Sequence, residues 1–151
     1  MQENHHDSKA AAQSYFRVLE LQPRNKFAWY NLGHLAQQEG KTPGARAAYE
    51  QALQIDPSFA PALFNEALLL EAAEPDRAAD LLQRAIAVNP KAGTAHLHLG
   101  RVWARTNRAG KAKDEFRLAV AADPSLRSQV PEEFRDSADP SSPSSEAGSD
   151  S

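Results

Sequence analysis

The chain of 151 residues contains no cysteine, which excludes disulfides and thiolate chemistry. Valine and isoleucine are scarce and alanine dominates, which favours helices because alanine gives up no side-chain entropy in a helix. No stretch approaches the ~18 apolar residues of a membrane-spanning helix, and the start "MQENHHDSK" lacks the basic and apolar runs of a signal peptide. We therefore expect a cytoplasmic helical protein with no membrane insertion in this chain, although an upstream anchor is compatible with a fragment of a longer protein.

Concentrated positive charge is also missing. The formal net charge is −3, and the segment from Glu132 onward holds six acidic side chains against one arginine. The rest of the chain is nearly neutral, whereas nucleic-acid binding needs a concentrated basic face. We expect no nucleic-acid partner.

The two ends of the chain contain few large apolar residues. Residues 131–151 are rich in serine, proline and acidic residues, and no large apolar residue follows Phe134. Such a composition cannot bury enough apolar surface to fold, so we predict a disordered acidic tail over 131–151. Residues 1–7 are predicted to be disordered as well.

An internal repeat accounts for the part between these ends. Prolines at positions 23, 57, 90 and 124 are spaced by 34, 33 and 34 residues, and each follows a similar approach such as "VLELQP" or "ALQIDP". Small residues recur twelve positions before each proline and five positions before the last three prolines, and large residues recur eight positions before each. The first full set is Ala45, Tyr49 and Ala52, and it returns as Ala78, Leu82 and Ala85, and as Ala112, Phe116 and Ala119.

These offsets, with Trp29, Leu32, Gly33 and Pro57, resemble the tetratricopeptide repeat. The resemblance implies an all-α, right-handed solenoid of antiparallel helix pairs. It divides residues 8–130 into a half repeat (8–25), three full repeats (26–59, 60–92 and 93–126) and a short cap to residue 130. We predict helices near 8–21, 26–39, 43–55, 60–72, 75–88, 93–106 and 110–122.

Catalytic signatures are absent from the sequence. There is no glycine-rich phosphate loop and no Gly-x-Ser-x-Gly, and the histidines lack the acidic or cysteine neighbours of a metal site. His96 and His98, two apart on a predicted helix, point in different directions. We expect no enzyme activity, no cofactor and no metal ion.

The resemblance also implies that the first helix of each repeat lines a concave groove. The inward positions that we single out are Phe27, Tyr30, Asn31, His34, Gln37, Phe64, Asn65, His98, Arg101 and Arg105. Asn31, Asn65 and His98 would stand in one row, similar to the asparagine ladder of the repeat domain of O-linked N-acetylglucosamine transferase. An asparagine offers a donor and an acceptor to an extended peptide backbone. The alternative is a polar residue tolerated on a solvated face.

Positive charge gathers on the first helix of the third repeat. His98, Arg101 and Arg105 follow i, i+3, i+7 spacing, which places them on one helix face. The spacing suggests a preference for an acidic partner segment. Two alternatives remain open: the acidic tail of the chain itself occupies this face, or the face is simply solvated.

The predicted function is a non-catalytic protein–protein interaction module, a scaffold or adaptor that binds an extended peptide of a partner. The alternative is a structural assembly subunit that docks or self-associates through the uncapped helix 8–21, which acts either as a crude cap or as the remnant of a longer array. Glu66 stands at a normally apolar position, where we expect a local arginine partner or a functional role.

Overall fold

A computed structural model describes residues 2–139 of the chain, and the side chains of residues 7–139. Helices make up the regular structure, and no strand occurs between residues 2 and 139. The elements are α1 (Gln2–Leu21), α2 (Lys26–Gln38), α3 (Thr42–Ile55), α4 (Ala60–Leu70), α5 (Pro75–Val88), α6 (Gly93–Arg105), α7 (Ala109–Ala122), a 3-10 helix (Pro124–Gln129) and α8 (Glu132–Ala138). The predicted all-α class is confirmed.

The ends of α2 to α7 agree with the predicted helices to within two residues, because local chemistry sets them. Asn25 caps α2 by accepting a hydrogen bond from the Ala28 N–H at 3.1 Å. Gly40 ends α2 with a φ of 74°, which lets the Lys41 N–H donate back to the Ala36 carbonyl at 2.9 Å. At the corresponding end of α6, Asn107 takes the same left-handed conformation with a φ of 61°.

The chain divides into two compact units after Leu69, within α4. The first unit contains α1 to α3 and nearly all of α4, and the second contains α5 to α8. The sequence predicted one solenoid over residues 8–130.

In the first unit, α2 and α3 form an antiparallel pair whose contact follows the repeat pattern. Ala45, Tyr49 and Ala52, the three residues at the recurring offsets, have no exposed surface. Gly33 lies directly against the Tyr49 ring, where a Cβ atom would come within 2.7 Å of two ring carbons. α1 packs on α2.

In the second unit, α6 and α7 repeat that arrangement. Ala112, Phe116 and Ala119 are fully buried, and Gly100 lies against the Phe116 ring as Gly33 lies against Tyr49. α5 packs on α6, and Ala78, Leu82 and Ala85 of α5 are buried. The recurring small and large residues are therefore the packing surfaces of consecutive helices in both units.

The predicted boundary between a disordered segment 1–7 and a helix 8–21 differs from the structure, in which α1 begins at Gln2. No glycine or proline interrupts residues 2–21, so no residue of that segment breaks a helix. The helix starts six residues earlier than predicted.

The predicted disordered tail from residue 131 is wrong over residues 131–139. The 3-10 helix buries Leu126 and leads to Val130, which is also buried, and α8 then places the Phe134 ring 5.2 Å from the Phe116 ring. Arg117 holds the end of α8 by donating a hydrogen bond to the Ser137 carbonyl at 3.1 Å. One aromatic residue and backbone hydrogen bonds order this polar segment. The rest of the predicted tail, residues 140–151, lies outside the described residues.

Candidate functional site

The polar residues of the first unit meet around the hydroxyl groups of two tyrosines. Tyr49 donates a hydrogen bond to Gln37 Oε1 at 2.5 Å. The Asn65 Nδ2 amide donates to the Tyr30 hydroxyl at 3.0 Å and lies 3.5 Å from the Tyr49 hydroxyl. α2 supplies Tyr30 and Gln37, α3 supplies Tyr49 and α4 supplies Asn65, so three helices position this network, called here the amide–hydroxyl network.

The direction of these hydrogen bonds determines what the network offers to a ligand. Because Tyr49 gives its only hydroxyl proton to Gln37, it can only accept from Asn65. Tyr30 also accepts from Asn65, so its own hydroxyl proton is not used in that bond and can be donated to another group. A hydroxyl donor on Tyr30 and a carbonyl acceptor on Asn65 therefore lie side by side.

This geometry changes the role predicted for Asn65. The sequence suggested that one asparagine would provide both the donor and the acceptor. In the structure the Asn65 amide donates to the Tyr30 hydroxyl and approaches the Tyr49 hydroxyl, so the Tyr30 hydroxyl still has its own proton to donate. Tyr30 and Asn65 lie 35 residues apart in the sequence, and the spacing of polar residues gives no sign of the hydrogen bond between them.

Burial keeps Tyr49 protonated. Desolvation raises the pKa of Tyr49 to about 12, and the nearby Tyr30 adds to the increase, while the hydrogen bond from Asn65 opposes it. The hydroxyl therefore remains a donor to Gln37 throughout the physiological pH range, and the direction of the hydrogen bonds in the network does not change with pH.

A group of aromatic rings adjoins the network. Phe27 and Phe59 meet edge to face with ring centroids 5.4 Å apart, and Phe59 meets Tyr30 in the same way at 5.6 Å. Phe27 remains 59% exposed. We call Phe27, Tyr30 and Phe59 the aromatic platform; the sequence had singled out Phe27 and Tyr30 but not Phe59, which lies in the turn before α4.

One ion pair borders the aromatic platform. Lys26 Nζ lies 2.5 Å from Asp56 Oδ2, and also 5.4 Å from the Phe27 ring and 5.0 Å from the Phe59 ring. The hydrogen bond from Lys26, with a second one from the Ser58 N–H, holds the pKa of Asp56 below its usual value. Lys26 and Asp56 were not among the predicted site residues.

The other predicted residues of the first unit lie around these two groups. The His34 ring is exposed and stacks on Tyr30 with centroids 6.4 Å apart. Asn31 and Phe64 are half-buried. The structure thus places Phe27, Tyr30, His34, Gln37 and Asn65 in one connected set. Because His98 belongs to the second unit, the row of Asn31, Asn65 and His98 stays a prediction.

The predicted basic face of the second unit has partners of its own. His98 Nδ1 lies 3.2 Å from Glu71 Oε1, and Arg101 donates to the Gln129 carbonyl in the 3-10 helix at 3.3 Å. Arg105 is exposed. An acidic partner stays a prediction, which rests mainly on Arg105 because His98 already faces a carboxylate.

The second unit contains a buried pair of His96 and Glu115, which the sequence did not predict as a feature of the site. His96 is 4% exposed, its Nδ1 lies 3.0 Å from Glu115 Oε1, and its Nε2 lies 2.7 Å from the Pro90 carbonyl oxygen. Both neighbours are acceptors, so the doubly protonated ring satisfies both contacts. The Glu115 hydrogen bond raises the pKa of His96 against the opposing effect of burial. The only signal in the sequence was a histidine where the first full repeat has Trp29.

The buried Glu66 has the arginine neighbour that the sequence suggested. Arg46 Nε lies 3.8 Å from Glu66 Oε2 and 3.2 Å from Glu50 Oε1. The Glu66 side chain is completely inaccessible to solvent, whereas Arg46 is partly exposed. The carboxylate is therefore a structural element of the first unit rather than a surface that a ligand can reach.

Neither a metal site nor a membrane span is found in the part of the chain that the structure describes. No group of three or more histidine, cysteine, aspartate or glutamate side chains could hold a metal ion there. None of its helices combines the length and the apolar character needed to cross a bilayer.

The paired helices define an all-α helical-repeat protein. The profile of the tetratricopeptide repeat family matches residues 27–59 and, separately, residues 63–126. The chain belongs to the tetratricopeptide repeat family, and it is a protein–protein interaction module.

Comparison with solved structures supports the fold. Two crystal structures of the protein MamA superpose with TM-scores of 0.77 and 0.76, at 24% and 23% sequence identity. Each covers 91% of this chain, and the chain covers 85% and 80% of the MamA chains. At this identity the likeness concerns the fold alone. No curated protein matched the sequence.

Proposed function

We propose that the first unit binds an extended peptide segment of a partner protein through Tyr30 and Asn65. The observation that carries this proposal is the amide–hydroxyl network, which leaves a hydroxyl donor and a carbonyl acceptor next to each other. A peptide group carries one N–H donor and one C=O acceptor, so it complements this pair whatever its side chain. Binding of this kind recognises backbone rather than sequence.

The energy of these two hydrogen bonds sets a limit on their contribution. Each is expected to contribute about 0.5–1.5 kcal/mol net, because the free protein and peptide are already hydrogen-bonded to water. Further contacts with Asn31, His34 and the half-buried Phe64 would have to add to the affinity. No catalytic step is part of the proposal.

The experiment compares partners captured from a native lysate by the wild type and by an Asn31→Ala/Asn65→Ala double variant. A segment of a captured partner that is protected from proteolysis is then synthesised and titrated. Tyr30→Phe removes the hydroxyl that accepts from Asn65 and is proposed to donate to the peptide, and it should weaken that peptide about two- to tenfold, as should Asn65→Ala. Gln54→Ala, on the exposed side of α3, is the matched control. Identical partners and affinities for wild type and double variant would refute the proposal.

A second candidate, association through α1, is favoured by the exposure of that helix. Ala11, Tyr15 and Val18 occupy the repeat positions that are fully buried in α3, yet they are only half-buried. Phe16 is 53% exposed and Leu21 is 85% exposed on the same helix. We propose that α1 docks a helix of a second copy or of another protein. Light scattering tests it: a mass that rises with concentration, and falls in Tyr15→Gln/Phe16→Gln, supports self-association, and a constant monomer mass rejects it.

A further inference from the structure

The aromatic platform lies beside the donor and acceptor to which the proposed function assigns the peptide backbone. Tyr30 belongs to both, because its hydroxyl accepts from Asn65 while its ring meets Phe59 at 5.6 Å. Neighbouring residues of an extended chain lie about 3.3–3.6 Å apart along its axis, so a side chain next to the bound peptide group reaches the platform. This inference rests on that proposed function.

The exposed part of the platform suits an apolar side chain. Phe27 is 59% exposed although it packs edge to face on Phe59, so part of its ring remains in solvent. An aromatic or large aliphatic side chain placed there would bury apolar surface on both partners. The cluster is rigid because Phe59 contacts both Phe27 and Tyr30.

The charges around the platform decide which side chains it can accept. Aromatic faces usually attract cations, but Lys26 Nζ already lies 5.0 Å from the Phe59 ring and 5.4 Å from the Phe27 ring. A second cation would find the cation position over both rings already occupied by Lys26. Because Lys26 and Asp56 form an ion pair at 2.5 Å, their charges balance and offer little attraction to an added cation or anion. A neutral side chain does not depend on such an attraction.

We infer that the aromatic platform is a specificity subsite for one neutral aromatic or large aliphatic side chain of the bound segment, and that Lys26 excludes lysine and arginine from it. Phe27 supplies the contact surface, Phe59 supports it, and Lys26 with Asp56 sets the charge preference. The first unit would then recognise a backbone amide at Tyr30 and Asn65, and an adjacent apolar side chain at the platform.

Capped amino acids provide defined probes for this subsite. The N-acetyl N-methylamides of phenylalanine, leucine, lysine and alanine each carry two peptide groups and one side chain, and each is titrated into the ¹⁵N-labelled full chain. Such fragments are expected to bind at about 1 mM or weaker. The phenylalanine probe should shift the resonances of Phe27, Tyr30 and Phe59 and bind about tenfold more tightly than the alanine probe. The lysine probe should bind no better than the alanine probe.

Two variants separate the contribution of the Phe27 ring from that of the Lys26 charge, and a third serves as a control. Phe27→Ala should lower the affinity of the phenylalanine probe to that of the alanine probe. Lys26→Gln should improve the lysine probe about fivefold relative to the phenylalanine probe, because Asp56 is then left to attract a cation. Lys41→Gln removes an exposed lysine away from the platform and should leave the ranking unchanged. Circular dichroism confirms that each variant is folded.

The outcomes distinguish this inference from the proposed function. Equal affinities of the phenylalanine and lysine probes for the wild type, or a Phe27→Ala variant that still prefers phenylalanine, would overturn the subsite. If all four probes bind equally and Asn65→Ala weakens them alike, the backbone-binding proposal stands and the subsite is rejected. If Phe27→Ala abolishes the preference while Asn65→Ala changes nothing, the subsite stands without the proposed amide contact. No binding of any probe contradicts the subsite.

Discussion

Gly33 and Tyr49 are in direct contact, because a Cβ atom on Gly33 would lie 2.7 Å from two carbons of the Tyr49 ring. The ring cannot swing aside easily, since it is completely buried and its hydroxyl is bonded to Gln37. Gly100 and the Phe116 ring repeat this contact in the second unit, at 2.6 Å. A methyl group at either glycine has no space unless the helix pair separates.

We predict that Gly33→Ala destabilises the first unit by about 1–2 kcal/mol, the overpacking cost less the gain in helix propensity. Urea unfolding followed by circular dichroism measures the change. Gly44→Ala is the matched control, because the nearest atom to its added Cβ is 3.9 Å away, and it should be neutral or stabilising. A Gly33→Ala protein as stable as the Gly44→Ala protein would show that the pair is not closely packed.

We predict that Phe134→Ala destabilises the second unit by about 2 kcal/mol, since it removes both an aromatic pair with Phe116 and part of the apolar cover over α7. Amide hydrogen exchange should quicken in residues 124–138. Glu133→Ala changes an exposed residue of the same helix and should do neither. Unchanged exchange in Phe134→Ala would mean that α8 does not depend on this ring.

The packing of the helix pairs was predictable because it is periodic in the sequence. The proline spacing fixed the register, and the recurring positions of Ala45, Tyr49 and Ala52 proved to be completely buried. Each contact depends on residue size, which the sequence states directly. The same reasoning failed for α8, whose order depends on one aromatic contact and on the hydrogen bond from Arg117 to Ser137.

The candidate site was only partly predictable, because its chemistry depends on the direction of individual hydrogen bonds. The sequence indicated Tyr30 and Asn65. It could not show that the Asn65 amide would donate to the Tyr30 hydroxyl and approach the Tyr49 hydroxyl. Phe59 and Asp56 lie at a turn, outside the helical periodicity that identified the other candidates. Contacts between residues distant in sequence left no repeating signal.

Tyr49 is predicted to ionise at a higher pH than an unperturbed tyrosine. Its pKa is raised to about 12 in the folded state, from 10.0 for an unperturbed tyrosine, mainly by burial. The folded state therefore holds this proton more tightly, and its stabilising contribution is complete below pH 10 and is lost between pH 10 and pH 12. In a spectrophotometric titration of phenolate absorbance, Tyr49→Phe should remove the highest-pH part of the transition, and Tyr15→Phe should leave it. The prediction fails if Tyr49→Phe leaves that part intact while circular dichroism shows a folded protein.

The pair of His96 and Glu115 predicts a second pH dependence, which is confined to the second unit. The hydrogen bond to Glu115 raises the pKa of His96, and the Pro90 carbonyl favours the same protonated form. A raised pKa in the folded state means that the proton stabilises folding: the contribution is complete below the unfolded value of 6.5 and is lost as the pH rises through the folded pKa. Lys111 and Asp114 line the same cavity of about 420 Å³ and supply opposite charges.

We therefore expect the free energy of unfolding of the second unit to fall as the pH is raised from about 6 to about 9. Trp103 lines the cavity beside His96, so its fluorescence in a Trp29→Phe background reports on this unit during urea unfolding. His96→Gln should be less stable at the lower pH and should flatten the dependence, because a neutral amide gains nothing from an added proton. His34→Gln, at an exposed histidine of the first unit, should keep the slope. If the free energy of unfolding of His96→Gln still falls with rising pH as in the wild type, another group controls this dependence, and the pair of His96 and Glu115 has no part in it.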